Sequence, residues 1–176
     1  MAQEVNLTDE SLKIAHALNE RFPEQMLDIN EFRGQISVTV RKEKIKDILK
    51  YLKEEQGFNH LQDLCGVDNY PENPRFEVVY NLYSIWRRLH IRIKAKIYEE
   101  EPEIDSVTEL WKGANWHERE CYDMFGIRFR SHPDLRRILM PEDWEGFPLR
   151  KDYPLRGKEL WRGFKEIIEN AGGNSD

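Results

Sequence analysis

Apolar and polar residues alternate strictly in two parts of the chain, and each part predicts a β-hairpin. Within residues 26–40 the second half carries an apolar side chain at every other position, and a turn is predicted at residues 33–34. The same period of two recurs on both sides of a turn near residues 86–88, within residues 76–97. Strands that alternate in this way bury one face and leave the other in water. The pattern therefore predicts a sheet with one wet face.

Helical spacing of apolar residues, at intervals of three and four, marks two further segments. Thr8 is placed to cap a helix that Pro23 ends, and two carboxylates in its first turn suit the positive end of the helix dipole. A second amphipathic helix is predicted over residues 45–52, with Gly57 just past its end. Each helix has one apolar stripe, so both are expected to pack on the buried face of the sheet.

The middle of the chain gives shorter signals. Residues 61–67 form an apolar run that we interpret as a strand, and residues 99–105 form an acidic linker. A short helix is predicted around residues 107–111, and a longer one over about 116–125 that ends at Gly126. These elements complete an α+β domain over residues 1–126, in which helices pack on a mainly antiparallel or mixed sheet to form two layers.

Regular patterning stops beyond residue 127. Four prolines recur at intervals that forbid a long helix or a central strand: Pro133, Pro141, Pro148 and Pro154. Residues 127–176 are therefore expected to form a long irregular C-terminal tail.

Composition and charge exclude several classes of protein. The chain has 176 residues, 39% of them hydrophobic, which suits one compact domain with an appendage. Its formal net charge of -6 gives it no overall attraction to nucleic acid. No apolar stretch approaches the roughly 20 residues of a membrane helix, and the acidic N-terminus shows no import signal. Two cysteines are too few to hold an iron-sulfur cluster alone.

Candidate chemistry along the chain is sparse. His117, Cys121 and His132 offer a conceivable zinc site with Glu118 as a base, but the Cys-x2-Cys pairs of structural zinc sites are absent, and local packing roles are favoured. Glu118 and Glu120 are expected to pair with nearby cations rather than to act as an acid-base pair, because residues two apart on a helix point in different directions. Glycine-rich nucleotide-binding motifs are also absent. The cations at 92, 94 and 96 are interpreted as the solvated face of a strand.

The composition of the tail indicates an interface. It carries four aromatic residues and several arginines between residues 132 and 161, whereas disordered tails are poor in aromatics. Trp, Tyr and Arg are the residues that anchor protein interfaces. We favour the interpretation that this tail extends onto another protein, and the alternative is that it folds back over its own domain as a satellite cluster.

Three linked blocks in this region carry a family resemblance. ERECYDMFGIRF at 118–129, SHPDLRRIL at 131–139 and DWEGFPLRKDYPL at 143–155 resemble the signature of the C-subunit family of respiratory complex I, called the thirty-kilodalton subunit in mitochondria. Weaker similarity extends upstream through GANW, RFEVVYNLYS and DLCGVD. Ser131 departs from the pattern, because Gly or a similar small residue is expected before the His-Pro pair.

The resemblance implies a hydrophilic, non-catalytic subunit of the peripheral arm of a proton-translocating NADH:quinone oxidoreductase, at the cytoplasmic face of the cell membrane or its organellar equivalent. It implies that the signature and tail pack against the D subunit, which carries the quinone site, and that flavin mononucleotide and iron-sulfur clusters are carried by other subunits. The alternative is the equivalent subunit of a membrane-bound nickel-iron hydrogenase, or of a dehydrogenase linked to ferredoxin or a deazaflavin. A more distant alternative is a free-standing zinc hydrolase.

The residues predicted to form the partner interface and its structural signature share two properties: they lie in the three blocks, and they are charged, aromatic, Gly, Pro or His. They are Glu118, Arg119, Glu120, Asp123, Gly126, His132, Pro133, Arg136, Arg137, Asp143, Trp144, Gly146, Pro148, Arg150, Lys151, Asp152 and Tyr153. Pairs between these arginines and carboxylates are expected to fix the bends of the irregular chain.

Overall fold

The computed structural model describes residues 2–154, and side chains from residue 8 onward. The part of the predicted tail that spans residues 155–176 lies outside the described residues. The helices and strands are α1 (Ala2–Arg21), β1 (Met26–Phe32), β2 (Gln35–Arg41), α2 (Ile45–Glu54), β3 (His60–Asp68), β4 (Phe76–Ser84), β5 (Leu89–Ile97), β6 (Glu103–Asp105), α3 (Ala114–Phe125) and β7 (Arg128–Arg130).

Five strands form the main sheet in the order β1-β2-β5-β4-β3. Neighbouring strands are antiparallel except for β2 and β5, which run parallel and align Ser37 with Arg92. Strands β6 and β7 form a separate parallel pair. The mixed, mainly antiparallel sheet of the α+β prediction is confirmed.

All three helices pack on one face of this sheet. That face carries the fully buried side chains of Val38, Tyr80 and Ile93, which belong to one hydrophobic cluster with Leu18 of α1 and Leu49 of α2. The opposite face carries the half-buried cations of β5 at positions 92, 94 and 96. Burial of each large aliphatic side chain contributes about 2 kcal/mol relative to exposure. The two layers therefore follow from the alternation in the sequence. Among the described residues, no helix has the length and apolar character needed to cross a bilayer.

Three local predictions are wrong. Helix α1 begins at Ala2 and not after Thr8, whose hydroxyl donates instead to the carbonyl of Gly34 at 3.2 Å. Residues 107–111 form turns and no helix, and the acidic linker before them contains β6. The helical spacing of Val107 and Trp111 does not reflect a helix here. The backbone N–H of Val107 donates to the Glu118 carboxylate at 2.7 Å, and the side chain of Trp111 is buried separately.

The tail differs from expectation in its path. Its irregular character is confirmed over residues 131–154, but this stretch folds back on its own domain and does not extend away from it. Packing also crosses the boundary predicted at residue 126, because Ile127 and Phe129 belong to the main core and β7 pairs with β6. Buried carboxylates of the domain hold the stretch in place.

Candidate partner-binding site

Helix α3 begins the region that carries the family signature, which we call the signature segment (residues 118–153). The helix lies against β3, where Gly66 allows a close approach: a Cβ at this position would lie 2.6 Å from the ring of Phe125. The helix ends at Gly126, whose φ of +76° suits glycine, and its N–H donates to the carbonyl of Tyr122. The chain can therefore reverse and pack over α3.

The chain that folds back over α3 (residues 131–154) is called the returning chain. The carboxylate of Asp123 holds its first part. One of its oxygens accepts the backbone N–H groups of Ile138, Leu139 and Met140 at 3.0, 2.8 and 2.9 Å, and the other accepts the Arg137 guanidinium at 2.6 Å. Burial acts to raise the pKa of this carboxyl, but these donors outweigh burial and lower the pKa below its ordinary value. Asp123 is thus an ionised anchor in the interior.

Arg137 extends this anchor to the following bend. Its second nitrogen donates to the carbonyls of Trp144 and Gly146, both at 3.0 Å. Arg119 acts in the same way, because it donates to the carbonyls of Arg136 and Arg137 at 3.1 and 3.0 Å. The planar guanidinium group can satisfy several carbonyls that no helix or strand would satisfy. These arginines replace regular secondary structure as the source of hydrogen bonds.

A second anchor lies at the end of the sheet, where β3 and β4 meet. Arg75 is buried and forms ion pairs with Asp68, Glu99 and Asp152 at 2.8, 2.6 and 2.5 Å. The Asp68 carboxylate also accepts the backbone N–H of Lys151 at 2.8 Å. This cluster fastens the end of the signature segment to the sheet.

The pKa of Asp68 records how strongly this cluster favours its ionised form. Burial acts to raise the pKa, but the Arg75 guanidinium and the backbone N–H groups of Lys151 and Tyr70 outweigh burial and lower it from 3.8 to about 2. The anchor is therefore charged throughout the physiological range.

Close contacts at glycine fix the middle of the segment. A Cβ on Gly126 would lie 2.5 Å from the ring of Phe147, and one on Gly146 would lie 2.8 Å from the ring of Tyr153. Trp144 stacks on Tyr153 with ring centroids 6.5 Å apart. Arg150 donates to the carbonyl of Phe125 at 2.7 Å and lies over the Phe147 ring at 4.7 Å. The half-buried aromatic residues thus pack within the chain.

Glu118 is fully buried under the start of the segment. One carboxylate oxygen accepts the N–H of Val107, and the other has no hydrogen-bond partner among the described residues, with His132 Nε2 4.0 Å away. Burial raises its pKa from 4.5 to about 7. Of the cations expected to pair with Glu118, neither Arg119 nor Arg128 binds it, and His132 lies beside it.

The geometry does not assemble the zinc site considered from the sequence. His117 faces Asp63 with Nδ1 3.5 Å from its carboxylate, whereas His132 contacts the carbonyl of Asn115 at 3.3 Å and accepts the N–H of Asp134 at 3.0 Å. Because Nδ1 of His132 accepts a hydrogen bond, its proton is on Nε2. In the part of the chain that the structure describes, no three His, Cys, Asp or Glu side chains converge on one point.

Several predicted interface residues lie on the outside of the segment. Glu120, Pro133 and Asp143 are exposed, and Pro148 is half-buried. Arg136 is exposed and pairs locally with Asp134 at 2.9 Å. The expectation of arginine-carboxylate pairs thus holds for Arg136 and Arg137, while Arg119 and Arg150 bind carbonyl oxygens.

Sequence reasoning missed the two residues that anchor the end of the segment. Asp68 and Arg75 flank the loop between β3 and β4, and both are nearly inaccessible to solvent. A signal was present, because charged residues next to buried strands require partners. The partner, Asp152, lies 77 residues further along the chain from Arg75. No local pattern reports such a contact.

Comparisons with known proteins agree with the signature. The family model described as respiratory-chain NADH dehydrogenase, 30 Kd subunit, matches residues 38–159. A protein of Geotalea uraniireducens (strain Rf4), named as the C subunit of NADH-quinone oxidoreductase, is 53% identical over 83% of this chain and 90% of its own length. The protein of the same name from Roseiflexus sp. (strain RS-1) is 51% identical over 84% of this chain and 86% of its own length.

Two solved structures share the fold. The Nqo5 chain of a trypsin-resistant fragment (1–134) is 34% identical, with a TM-score of 0.62, and the match covers 73% of this chain and 99% of that one. A chain of the membrane-bound sulfane sulfur reductase, an archaeal respiratory membrane complex, has a TM-score of 0.70 at 21% identity, and the match covers 95% of each chain. The protein therefore belongs to the family of the 30 Kd subunit of respiratory-chain NADH dehydrogenase, whose bacterial members are named as C subunits of NADH-quinone oxidoreductase.

Proposed function

We propose that this chain is the hydrophilic C subunit of a proton-translocating NADH:quinone oxidoreductase. In this proposal it belongs to the peripheral arm, at the cytoplasmic face of the membrane, and carries no redox chemistry itself. Membership of the family and identity above 50% to named C subunits support the assignment to this machine. Its role is then to hold other subunits in position.

We further propose that the signature segment contacts the D subunit of the quinone module. The observation that carries this proposal is the contrast between the two sides of the segment. Its inner side is fixed by the buried Asp123 and Arg75 anchors, while Trp116 beside it and Leu139 and Leu149 within it are more than half exposed. Large apolar side chains held outward on an immobile surface are typical of interfaces.

The anchors explain how an irregular segment can serve as a binding surface. Association is weakened by the loss of conformational freedom of loops that become ordered. Here Asp123 and Arg75 order the segment before any partner binds, so that little further freedom is lost. The interface role expected of an extended tail thus belongs to a segment already folded on its domain.

Capture from detergent-solubilised membranes tests this function. The tagged full chain should bring down the D subunit together with NADH-oxidising subunits, and Leu139→Asp should reduce their recovery by about tenfold or more, as expected for loss of an interface anchor. Leu27→Asp is the matched control, because Leu27 is nearly half exposed on the outer strand β1. Equal recovery with both variants would contradict the assignment of this surface.

The same capture distinguishes the alternative machine. A nickel-iron hydrogenase subunit, or a dehydrogenase fed by ferredoxin or a deazaflavin, would appear among the companions in place of NADH-oxidising subunits. The sulfane sulfur reductase shares only the fold, at 21% identity, whereas the named C subunits are about half identical. The sequence relationship therefore favours the NADH-linked complex.

The proposal also assigns the cofactors to other subunits. Two cysteines cannot supply the four thiolates of a typical iron-sulfur cluster. The purified chain should therefore show no flavin or iron-sulfur absorption, no stoichiometric zinc and no NADH oxidation. Stoichiometric flavin, iron or zinc that survives gel filtration would overturn this part of the proposal.

A further inference from the structure

We infer that the chain has a second interaction surface, the hairpin-tip surface, formed by Phe32, Arg33, Ile85, Trp86 and Arg88. It fits an apolar pocket rimmed by carboxylates on a neighbouring protein of the assembly. The inference rests on the proposed function, because the neighbour is another member of the same membrane complex. It concerns residues that the signature segment does not include.

The topology of the sheet brings the two tips together. The β1–β2 turn at residues 33–34 immediately precedes β2, and the β4–β5 turn at 85–88 immediately precedes β5. Strands β2 and β5 are parallel neighbours, with Ser37 aligned with Arg92. Both turns therefore lie at the same end of the sheet, on adjacent strands. The exposed aromatic residues of both turns therefore lie at this end of the sheet, although they are far apart in the chain.

This end of the sheet is separate from the signature segment. The Arg75 anchor lies next to the first residue of β4, Phe76, and the second tip follows its last residue, Ser84. A strand rises ~3.3 Å per residue, so the tips lie at roughly 25 Å from that anchor. A partner seated on the tips thus makes a contact distinct from the one proposed for the signature segment.

Trp86 is the most exposed large hydrophobic side chain of the described part, with 85% of its surface accessible. Its turn is nevertheless held firmly. The N–H of Ile85 donates to the Asn59 side chain at 3.1 Å, and Arg87 donates to the Glu10 carboxylate at 3.2 and 2.5 Å. A fixed turn that keeps an indole in water is a preorganised anchor, because binding it requires little further ordering.

Both tips place an arginine where the backbone favours glycine. Arg33 has a φ of +52° and Arg88 a φ of +56°. A left-handed conformation is uncommon for residues other than Gly, Asn and Asp, and such positions concentrate at functional sites. Neither arginine takes part in an ion pair among the described residues, and Arg33 lies over the ring of Phe32, 5.1 Å from its centroid. The backbone conformation therefore does not account for arginine in these turns. A role of the guanidinium side chain does.

These features specify the chemistry of the partner. An indole and a phenyl ring, the latter 66% exposed, require an apolar pocket, and the two guanidinium groups beside them require carboxylates at its rim. The chain has a net charge of -6, which opposes adsorption to anionic lipid. A folded protein surface with an acidic rim meets these requirements.

Oxidative footprinting of Trp86 tests the inference in the full chain and in the captured complex. Hydroxyl radicals should modify Trp86 readily in the isolated chain, and its modification should fall by about tenfold in the complex, since an anchor residue is excluded from water. Companions that co-purify while Trp86 stays fully reactive would overturn this inference and leave the proposed function intact. Failure to capture any companion would overturn both.

Glycine variants separate binding from folding. Arg33→Gly and Arg88→Gly remove the side chain and relieve the backbone, so the melting temperature should stay the same or rise while recovery of companions falls about tenfold for the double variant. Arg41→Ala, an exposed arginine at the far end of β2, is the matched control and should leave recovery unchanged. A double variant that melts lower, with normal recovery, would show that the arginines serve folding alone and would overturn the inference.

Experiments on the isolated chain test two other possible occupants of the hairpin-tip surface, a membrane and a second copy of the chain. Binding to vesicles that contain anionic phospholipid, abolished by Trp86→Ala, would replace the protein partner by a membrane surface and overturn the inference. A dimer in analytical ultracentrifugation that Trp86→Ala dissociates would overturn it too, because the occupant would then be a second copy of the chain. A monomeric chain that does not bind these vesicles supports the inference.

Discussion

Three carboxylates, Asp68, Asp123 and Glu118, lie in the interior with different surroundings, and these differences set their pKa values. Asp68 and Asp123 accept hydrogen bonds from arginine and from backbone N–H groups, which hold their pKa values below the ordinary range despite burial. For Glu118 the N–H of Val107 and the Ser106 side chain act to lower the pKa, but one oxygen has no hydrogen-bond partner among the described residues, so burial dominates and the pKa rises to about 7. The number of hydrogen-bond donors, rather than the depth of burial alone, therefore decides whether the pKa of a buried carboxyl is lowered or raised.

Asp123→Asn tests whether the anchor is ionic. The amide nitrogen cannot accept a hydrogen bond, so either Arg137 or the three N–H groups at 138–140 lose an acceptor in the interior. We expect the free energy of unfolding to fall by about 3 kcal/mol, as for other broken buried pairs, measured by urea denaturation. Asp134→Asn breaks the exposed pair with Arg136 and should change it by less than about 1 kcal/mol. Equal effects would show that burial of Asp123 contributes nothing.

Glu118→Gln should change the pH dependence of stability. The folded-state pKa of Glu118 is raised from 4.5 to about 7, so its favourable contribution is complete below pH 4.5 and is lost as the pH rises through 7. The glutamine variant has no such proton to lose. Relative to wild type it should therefore gain on the order of 3 kcal/mol between pH 4.5 and about pH 8. A difference that is constant across this range, in urea titrations at several pH values, would contradict the assignment.

At the scale of elements, α3 and the irregular chain that follows it form one unit. The helix offers Asp123 and the carbonyl of Phe125 to the returning chain, and the returning chain offers Phe147 and Arg150 to the helix end. Gly126 lies between the two and must satisfy both the left-handed turn and the contact with Phe147. The sequence motif of the family therefore corresponds to this structural unit.

Gly126→Ala separates these two requirements when it is compared with Gly57→Ala. Both glycines have a φ of +76°, so each variant should lose about 1 kcal/mol from backbone conformation. A Cβ at Gly57 meets only the Ser84 hydroxyl at 3.8 Å, whereas one at Gly126 would overlap the Phe147 ring. Gly126→Ala should lose about 2 kcal/mol more, from overpacking, in thermal or urea unfolding. Equal losses would mean that the returning chain does not pack there.

At the scale of the whole molecule, the sheet and helices have a core of their own. In the described chain this cluster draws on residues up to Phe129, with Leu135 as the last side chain packed against it. The signature segment adds ionic anchors to the outside of that core, at Asp123 and at Arg75. The sheet therefore does not depend on the returning chain for its apolar packing.

A chain that ends at residue 142 should fold but not associate. Truncation removes Trp144 and Gly146, whose carbonyls bind Arg137, and Asp152, which binds Arg75, but no member of the main core as far as the described residues go. We expect the shorter chain to keep the helix and strand signals of the domain in its far-ultraviolet circular dichroism spectrum and to melt cooperatively, with loss of companions in membrane capture. A chain that ends at residue 154 keeps both anchors and is the control. Normal recovery of companions by the shorter chain would contradict the role given to the segment.

Features that depend on neighbouring residues in the sequence are predicted correctly more often than features that depend on contacts between distant residues. The two hairpins, α2 and α3 are predictable because their periodicity is local, and Gly126 marks the end of α3 as expected. Residues 107–111 resemble a helix in sequence because two buried anchors, Val107 and Trp111, happen to have helical spacing. The arginine partners in the signature segment are only partly predictable, since a guanidinium group binds carbonyls as well as carboxylates.

The sequence by itself determined the strands, the wet and dry faces of the sheet and the family, because alternation and contiguous motifs are properties of neighbouring residues. Only the tertiary structure decided which carboxylates are buried, that the signature segment folds back on its own domain, and that Phe32 and Trp86 lie at one end of the sheet. Each of these depends on contacts between residues far apart in the chain, and hydrophobic periodicity carries no information about such pairs.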